Sequence, residues 1–467
     1  MLDSLKQHCQ SVFPSLEPWS NRRLAMADRL GLFAVLLMAL TGLWAGGLYR
    51  LSLLLLVIAF LVAAVDFWPR MSRSVVFWLA AGFVAFAAAR YWIAVVELGF
   101  DQVGSPPRTS QFVRSSPLLA LMAAVWIRGE QKRLLLLMMA AGLGATAWVV
   151  TGTHWDAFLE MLRGWDWSSA RRSLHESSTN RAPLILLMIG LGLATAGVGG
   201  AARMGRKWLR IGLVSTTAAF AMAFFALTLA IETRQTQLGA VVGFGIALSV
   251  VGHHALHALG LPGRARLALT GLGAIVLIGI ASAALVNSSA TNDRLQRTVE
   301  AARVLVENPE YLRDPFAAAN ENRAIHRGRV VQRLNLLNLG AEAVAEKPLV
   351  GWGGGTNHRW IREYGRTDFH NWYLEVAVAF GLMGALLYFG GFAYLAGSTA
   401  RATRRKIFPG PVALFALSAT AALVTTQLFT TSISSSQGRF IVIFLAALLA
   451  VSHTTRWWPK PKGEVSE

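Results

Sequence analysis

A titratable imidazole with an amide beside it stands at His370-Asn371, followed by Trp372-Tyr373-Leu374-Glu375 and then by Gly381-Leu382-Met383-Gly384. An imidazole that titrates near neutrality can take a proton from an attacking hydroxyl. Three arginines are candidates to work with it: Arg181 after Asn180, Arg234 in Glu232-Thr233-Arg234-Gln235-Thr236-Gln237, and Arg333. A planar guanidinium holds phosphate oxygens through paired, charge-assisted hydrogen bonds, so such a set would suit a lipid pyrophosphate. Taken singly, an arginine at a membrane surface is more often a headgroup contact or a helix-end anchor. The glycine loop Gly351-Trp352-Gly353-Gly354-Gly355 lies between Arg333 and His370. Its N–H groups could cradle phosphate, but a tight turn returning the chain to the bilayer is the simpler reading.

The elements that must position these residues are membrane spans. Of 467 residues, 54% are hydrophobic and only 15% charged, with a mean hydropathy of +0.46, too apolar for a soluble protein of this size. A helix of about twenty apolar residues crosses a ~30 Å hydrocarbon core. The sequence predicts an all-α integral membrane protein with about twelve such helices, at 30–47, 51–68, 75–96, 115–127 (short), 134–152, 183–202, 209–231, 238–260, 267–286, 373–397, 411–430 and 438–453. Cytoplasmic loops retain an excess of Lys and Arg. With both termini inside, the short inner loops carry Arg70 and Arg73; Arg128, Lys132 and Arg133; Arg203, Arg206, Lys207 and Arg210; Arg264 and Arg266; and Arg401, Arg404, Arg405 and Lys406. The formal charge of +19 is therefore mostly topology. Cations dispersed in short loops do not form the clustered basic face that nucleic acid needs, which argues against such a partner.

Two outer segments interrupt the spans. The first, 153–182, combines Trp155, Trp165 and Trp167 with Arg163, Arg171 and Arg172, the composition of a helix in the membrane interface. The second, 287–372, is the long polar stretch, with twelve Lys/Arg against ten Asp/Glu. Within it, Val330, Leu334, Leu337, Ala341 and Val344 fall near helical spacing, predicting an amphipathic helix over His326 to Glu346 that Lys347-Pro348 ends. The chain thus divides into spans one to nine (1–286), the outer loop (287–372), and spans ten to twelve with a tail (373–467).

Other features carry weaker signals. Arg90 lies inside span three, where a charge is a functional candidate by default, and snorkelling to the outer interface is the competing reading. His253, His254 and His257 have metal-ligand spacing, but interfacial anchoring is the better account, and no metal site is expected. His326 and His358 could line an acceptor path. Cys9 alone permits no intramolecular disulfide. Residues 1–27 show no cleavable signal peptide. A twelve-helix transporter or flippase is the alternative from another class, yet coupling needs buried carboxylates, and Asp66, Glu97 and Glu375 all fall near span ends.

His370 to Gly384 resembles the His-Asn-x-Tyr-Leu-Glu…Gly-Leu-x-Gly signature of the O-antigen ligase/polymerase superfamily of bacterial envelope glycosyltransferases. Arg333, fifteen residues before Pro348, with Leu349-Val350-Gly351-Trp352-Gly353, resembles the Arg…Pro-Leu-x-Gly-x-Gly stretch that precedes it. Thr233-Arg234-Gln235-Thr236-Gln237-Leu238-Gly239 is similar to a segment of the ligase branch. One departure is that Leu337 or Asn338 stands where the family commonly has an aromatic residue.

The resemblance implies a GT-C-type fold in the bacterial inner membrane and a reaction on the periplasmic face. A glycan would pass en bloc from undecaprenyl pyrophosphate to a hydroxyl of the lipid A-core oligosaccharide, without metal, nucleotide sugar or other cofactor. It implies His370 as general base, Arg234 and Arg333 on the pyrophosphate, and Arg181 as a weaker phosphate contact. Asn371, Tyr373, Arg90 and His326 are candidate substrate contacts, with Asn371 and Tyr373 as readily orienting the loop on the bilayer. A polymerase or a protein O-oligosaccharyltransferase of the same superfamily is the alternative within the enzyme class.

Overall fold

The computed structural model describes residues 16–103, 106–164, 182–201, 207–230, 234–258, 262–264, 296, 299–300, 303–304, 307–308, 329–356, 360–361, 368–428 and 435–458. The described residues form helices and no extended strand. In chain order these are α1 (Leu16–Thr41), α2 (Gly46–Met71), α3 (Val75–Leu98), α4 (Phe100–Val103), α5 (Pro106–Arg114), α6 (Pro117–Ile127), α7 (Gln131–Gly152) and α8 (Trp155–Gly164). They continue as α9 (Ala182–Ala201), α10 (Lys207–Ala230), α11 (Arg234–Ala258), α12 (Arg329–Glu346), α13 (Trp372–Arg404), α14 (Gly410–Gln427) and α15 (Ser436–Thr454). Seven described helices are long and apolar enough to cross a bilayer, and shorter apolar stretches run over Pro183–Ala196 and Thr236–Ser249. The chain is a multi-pass membrane protein.

Eleven of the twelve expected spans fall on these helices, and 267–286 lies outside the described residues. Three depart from the expected form. The first span ends at Thr41, not 47, because 42–45 form a turn whose Gly42 lies against Phe440: a Cβ there would come within 2.3 Å of the ring. The fourth is a broken pair, α5 and α6, interrupted at Ser115-Ser116. At 11 residues, α6 is about 16 Å long, too short to cross alone, and all its residues but Leu118 and Met122 are buried.

The third departure matters most. The span expected at 373–397 is not one straight helix. A straight helix would hold Trp372 and Phe392 about 30 Å apart, yet their ring centroids lie 6.3 Å apart. Tyr373 and Phe389 are equally close, at 5.1 Å. The reversal occurs at Gly381 (φ 61°, ψ −166°), a conformation essentially restricted to glycine. Residues 372–380 therefore fold back along 382–404 as a short limb. An aromatic seam fills the fold: Tyr388 is fully buried, with Phe83 at 4.7 Å and Trp372 at 5.6 Å. Its hydroxyl meets Ser115 Oγ at 2.8 Å.

Long-range contacts sort the helix ends into two groups. At one end, Arg133 grips both oxygens of Asp28 at 2.7 and 2.8 Å, and Arg128 reaches the same carboxylate at 2.9 Å. Arg70 donates to the Trp457 carbonyl (3.2 Å) and Ser74 pairs with His453 (2.7 Å) at that end too. At the other end, α12 and the glycine loop pack on α3 and on the short limb of α13. Arg70, Arg128 and Arg133, assigned to two different inner loops, thus share one end of the bundle.

Candidate functional site

The site is built on two backbone accommodations. Arg329–Glu346 forms the expected amphipathic helix, α12, which ends before Pro348. Its buried residues Leu336, Gly340 and Ala343 follow the spacing of one helix face, but not the expected one, since Leu337 and Ala341 of the predicted stripe are exposed. Gly340 sits against Leu374, where a Cβ would come 2.3 Å from Leu374 Cδ2. Arg333 continues that same stripe by 3.6-residue periodicity and is exposed, so it lies on the packed face at the end remote from Glu346.

The glycine loop inserts into the break in α13. Trp352 and Gly353 donate to the carbonyls of Val378 (2.9 Å) and Ala379 (2.7 Å), which the break leaves without helical partners. In return, Leu382 and Met383 donate to Pro348 (2.8 Å) and Leu349 (3.0 Å). Gly351 and Gly381 meet backbone to backbone: a Cβ on Gly351 would lie 2.5 Å from Gly381 N. The two glycine motifs are therefore the halves of one joint. The alternative phosphate-cradle reading fails for Gly351, Trp352 and Gly353, since Gly351 donates to Lys347 O and the other two N–H groups serve the helix break.

Arg90 is turned inward. It is 7% exposed and its Nη2 donates to the Gly351 carbonyl at 2.7 Å, which overturns the snorkelling reading. Lys347 adds a second strut, bonding Glu97 at 2.6 Å with its ammonium 4.3 Å above the Trp352 ring. Trp352 donates to Ala343 O (2.8 Å) and packs with Leu336, Ala343, Ile361, Phe369 and Val378 in a small separate core.

His370 follows this core. Phe369 is buried, and its N–H donates to Glu375 Oε1 at 2.5 Å; Glu375 is 2% exposed. His370 itself has φ 54°, uncommon for a residue with a side chain. One carboxylate oxygen of Asp368 fixes this conformation, accepting both the His370 backbone N–H (2.8 Å) and Nδ1 (2.6 Å). With Nδ1–H directed to a carboxylate, the lone pair is on Nε2, the tautomer a general base requires. The imidazole keeps 38% of its surface accessible.

The next residues lock the limb to α14. Asn371 Oδ1 caps α13 by accepting from Leu374 N (3.0 Å), while its Nδ2 donates to Leu428 O (3.0 Å). Tyr373 Oη donates to Val424 O at 2.9 Å. Of the two readings open for Asn371 and Tyr373, the structure supports orientation, with α14 rather than the bilayer as the support. The folded-back limb also lowers the imidazole: Trp372 lies beside Tyr388 and Phe392, roughly 10–17 Å along the span from Gly381, and so not at its outer end.

Arg234 begins α11, and its side chain lies outside the described residues. The helix position still relates it to His370. Gly239 and Gly243 dock α11 on α14, where Cβ atoms would come 2.2 Å from Thr426 Oγ1 and 2.8 Å from Ala422 Cβ. This is the close small-residue packing of membrane helices. Thus α14 receives the start of α11 and the His370 limb at the same end. Arg181, His326, His358 and Cys9 lie outside the described residues, as do the side chains of His253, His254 and His257. Sequence reasoning missed Asp368; its signal was a carboxylate two residues before the histidine.

Residues 218–389 match the family model described as O-antigen ligase. Over that segment the chain is similar to the O-antigen ligase family. The matched segment runs from within α10 through α11 and α12, the glycine loop, His370 and the reversal at Gly381, ending one residue after Tyr388. It therefore contains both glycine motifs of the joint and both residues of the Asp368–His370 pair. No curated protein matches the chain.

Proposed function

We propose that this protein is a lipopolysaccharide O-antigen ligase: it transfers a glycan from undecaprenyl pyrophosphate to a hydroxyl of the lipid A-core oligosaccharide. The observation that carries the reading is the Asp368–His370 pair, an accessible imidazole held at Nδ1 by a carboxylate. Nε2 of His370 takes the proton from the acceptor hydroxyl as its oxygen attacks the anomeric carbon. The bond from that carbon to the pyrophosphate oxygen breaks, and undecaprenyl pyrophosphate leaves. In-line attack inverts the anomeric centre. Pyrophosphate is already a good leaving group, so its developing charge calls for fixed cations; Arg234 and Arg333 supply them, with Arg181 as a weaker contact. Asp368, Asn371, Tyr373 and Arg90 act by position.

In this reading the site faces the periplasm in the bacterial inner membrane, both termini are cytoplasmic, and the fold is of the GT-C type with twelve spans. The shared basic end of the bundle, opposite the glycine loop, supports that orientation under the positive-inside rule. The test is transfer by purified protein supplied with lipid-linked O-antigen and rough lipopolysaccharide in EDTA. A ligase produces a lipopolysaccharide ladder that Arg234→Ala abolishes. Lengthening of the lipid-linked glycan without a ladder would instead identify a polymerase, and lipid movement across vesicles without either product would identify a transporter.

A further inference from the structure

At the end of the bundle opposite His370 there is a cavity of about 170 Å³ between α13 and α15, which no step of the proposed reaction uses. Three guanidinium-bearing residues line it, Arg401, Arg405 and Arg456, together with Tyr394, Ser398 and Ser452. Its volume is far above the ~10–15 Å³ that admits one water.

The cavity arginines differ from Arg128 and Arg133 in their charge balance. Arg128 and Arg133 are neutralised by Asp28 and Glu130. Among the described residues no carboxylate pairs with Arg401, Arg405 or Arg456. Ser452 Oγ is buried with no hydrogen-bond partner. Three positive charges around one concavity, lined also by residues that carry hydroxyls, are a set that an anion completes, and guanidinium forks match phosphate oxygens.

The surroundings indicate which anion. An aromatic girdle adjoins the cavity: the His453 ring packs against Tyr394 (5.8 Å) and Trp457 (6.0 Å), and Trp68 and Trp78 meet at 6.1 Å nearby on α2 and α3. Trp and Tyr concentrate at headgroup depth. The end of α13 is shaped to close the cavity. Lys406 takes φ 58° and Ile407 N–H returns to Ala402 O at 2.9 Å, so Ile407 lines the cavity while 63% exposed. An apolar side chain that exposed beside a cationic concavity suits an acyl chain next to its headgroup.

We propose that this cavity binds the phosphate of an anionic phospholipid from the leaflet opposite the reaction. Basic pockets between transmembrane helices take such headgroups. The lipid clamps the end of α13 to α15, two helices joined there by Thr399 Oγ1 donating to Leu449 O.

The test is titration of the full-length protein, purified in neutral detergent, with phosphatidylglycerol or phosphatidylcholine, counting bound lipid by native mass spectrometry. Wild type should retain one phosphatidylglycerol in preference to phosphatidylcholine. The triple variant Arg401→Gln, Arg405→Gln, Arg456→Gln should bind it at least tenfold more weakly. Ser398→Phe, which fills the cavity without changing charge, should do the same and guards against misfolding of the triple variant. Arg404→Gln removes an exposed cation of the same turn that does not line the cavity, and should leave binding unchanged. Wild-type binding by both the triple variant and Ser398→Phe would overturn the proposal, as would an Arg404→Gln loss as large as that expected of the triple variant. Inorganic phosphate displacing the lipid at comparable concentration would show a soluble-anion site and overturn the lipid assignment.

Discussion

Gly381→Ala should open the seam between the glycine loop and the broken span. Alanine at φ 61°, ψ −166° sits in a region nearly reserved for glycine, at a cost of about 1–3 kcal/mol. The added Cβ would lie 2.4 Å from Leu349 C and 2.5 Å from Leu349 O and Val350 N. All three are backbone atoms, so no side-chain rotation relieves the clash and the loop must withdraw. Withdrawal breaks the bonds from Leu382 N to Pro348 O and from Met383 N to Leu349 O, each worth about 0.5–1.5 kcal/mol net. The total is roughly 2–6 kcal/mol, or at least ~30-fold in the local opening equilibrium. Amide hydrogen exchange over 348–353 and 378–383 reads that equilibrium directly. Gly390→Ala is the internal control, since a Cβ at Gly390 meets nothing within 4 Å, and exchange there should be unchanged. If Gly381→Ala kept wild-type protection while folded, the reciprocal joint would be refuted.

Asp368→Asn should cut transfer about 10- to 100-fold, the worth of a charge-assisted hydrogen bond of ~1.5–3 kcal/mol. Its effect should fall on kcat and not on donor binding, with Asp368→Glu recovering part of the rate; an unchanged kcat would remove Asp368 from the mechanism. Arg90→Leu leaves the Gly351 carbonyl without its 2.7 Å donor, and limited proteolysis should cut the glycine loop at least tenfold faster, whereas wild-type resistance would mean the strut is dispensable. Gly239→Leu forces a side chain into Thr426 and the Ala422 carbonyl; a cysteine pair engineered across α11 and α14 should cross-link in wild type and fail in the variant.

The spans were legible because their signal is composition over some twenty residues, and tertiary packing does not alter it. The helix ending before Pro348 was legible from its periodicity and proline stop, but its packed face was not: Leu337 and Ala341 of the expected stripe are exposed, and Leu336, Gly340 and Ala343 are buried instead. What the sequence could not disclose depends on contacts between segments far apart in the chain. Gly381 inside an apolar run reads as a tolerated helical glycine until Gly351 is brought against it, so hydropathy predicted one span where the chain doubles back. Arg90 read as an intramembrane charge, and its partner is a carbonyl 261 residues away. Asn371 and Tyr373 lie in the signature, yet their bonds go to α14, more than fifty residues on. Asp368 was missed because a carboxylate two residues from a histidine becomes informative only when the backbone takes the left-handed turn seen at His370.

The central claim is that His370 performs chemistry on a donor that other residues hold. It is tested most directly by measuring, on one preparation of His370→Ala, both binding of the lipid-linked glycan and its transfer to rough lipopolysaccharide. Loss of a general base costs about 10²- to 10⁴-fold in rate, so the account predicts donor affinity within a few-fold of wild type and transfer reduced by at least ~100-fold. Transfer persisting near the wild-type rate in His370→Ala would contradict it.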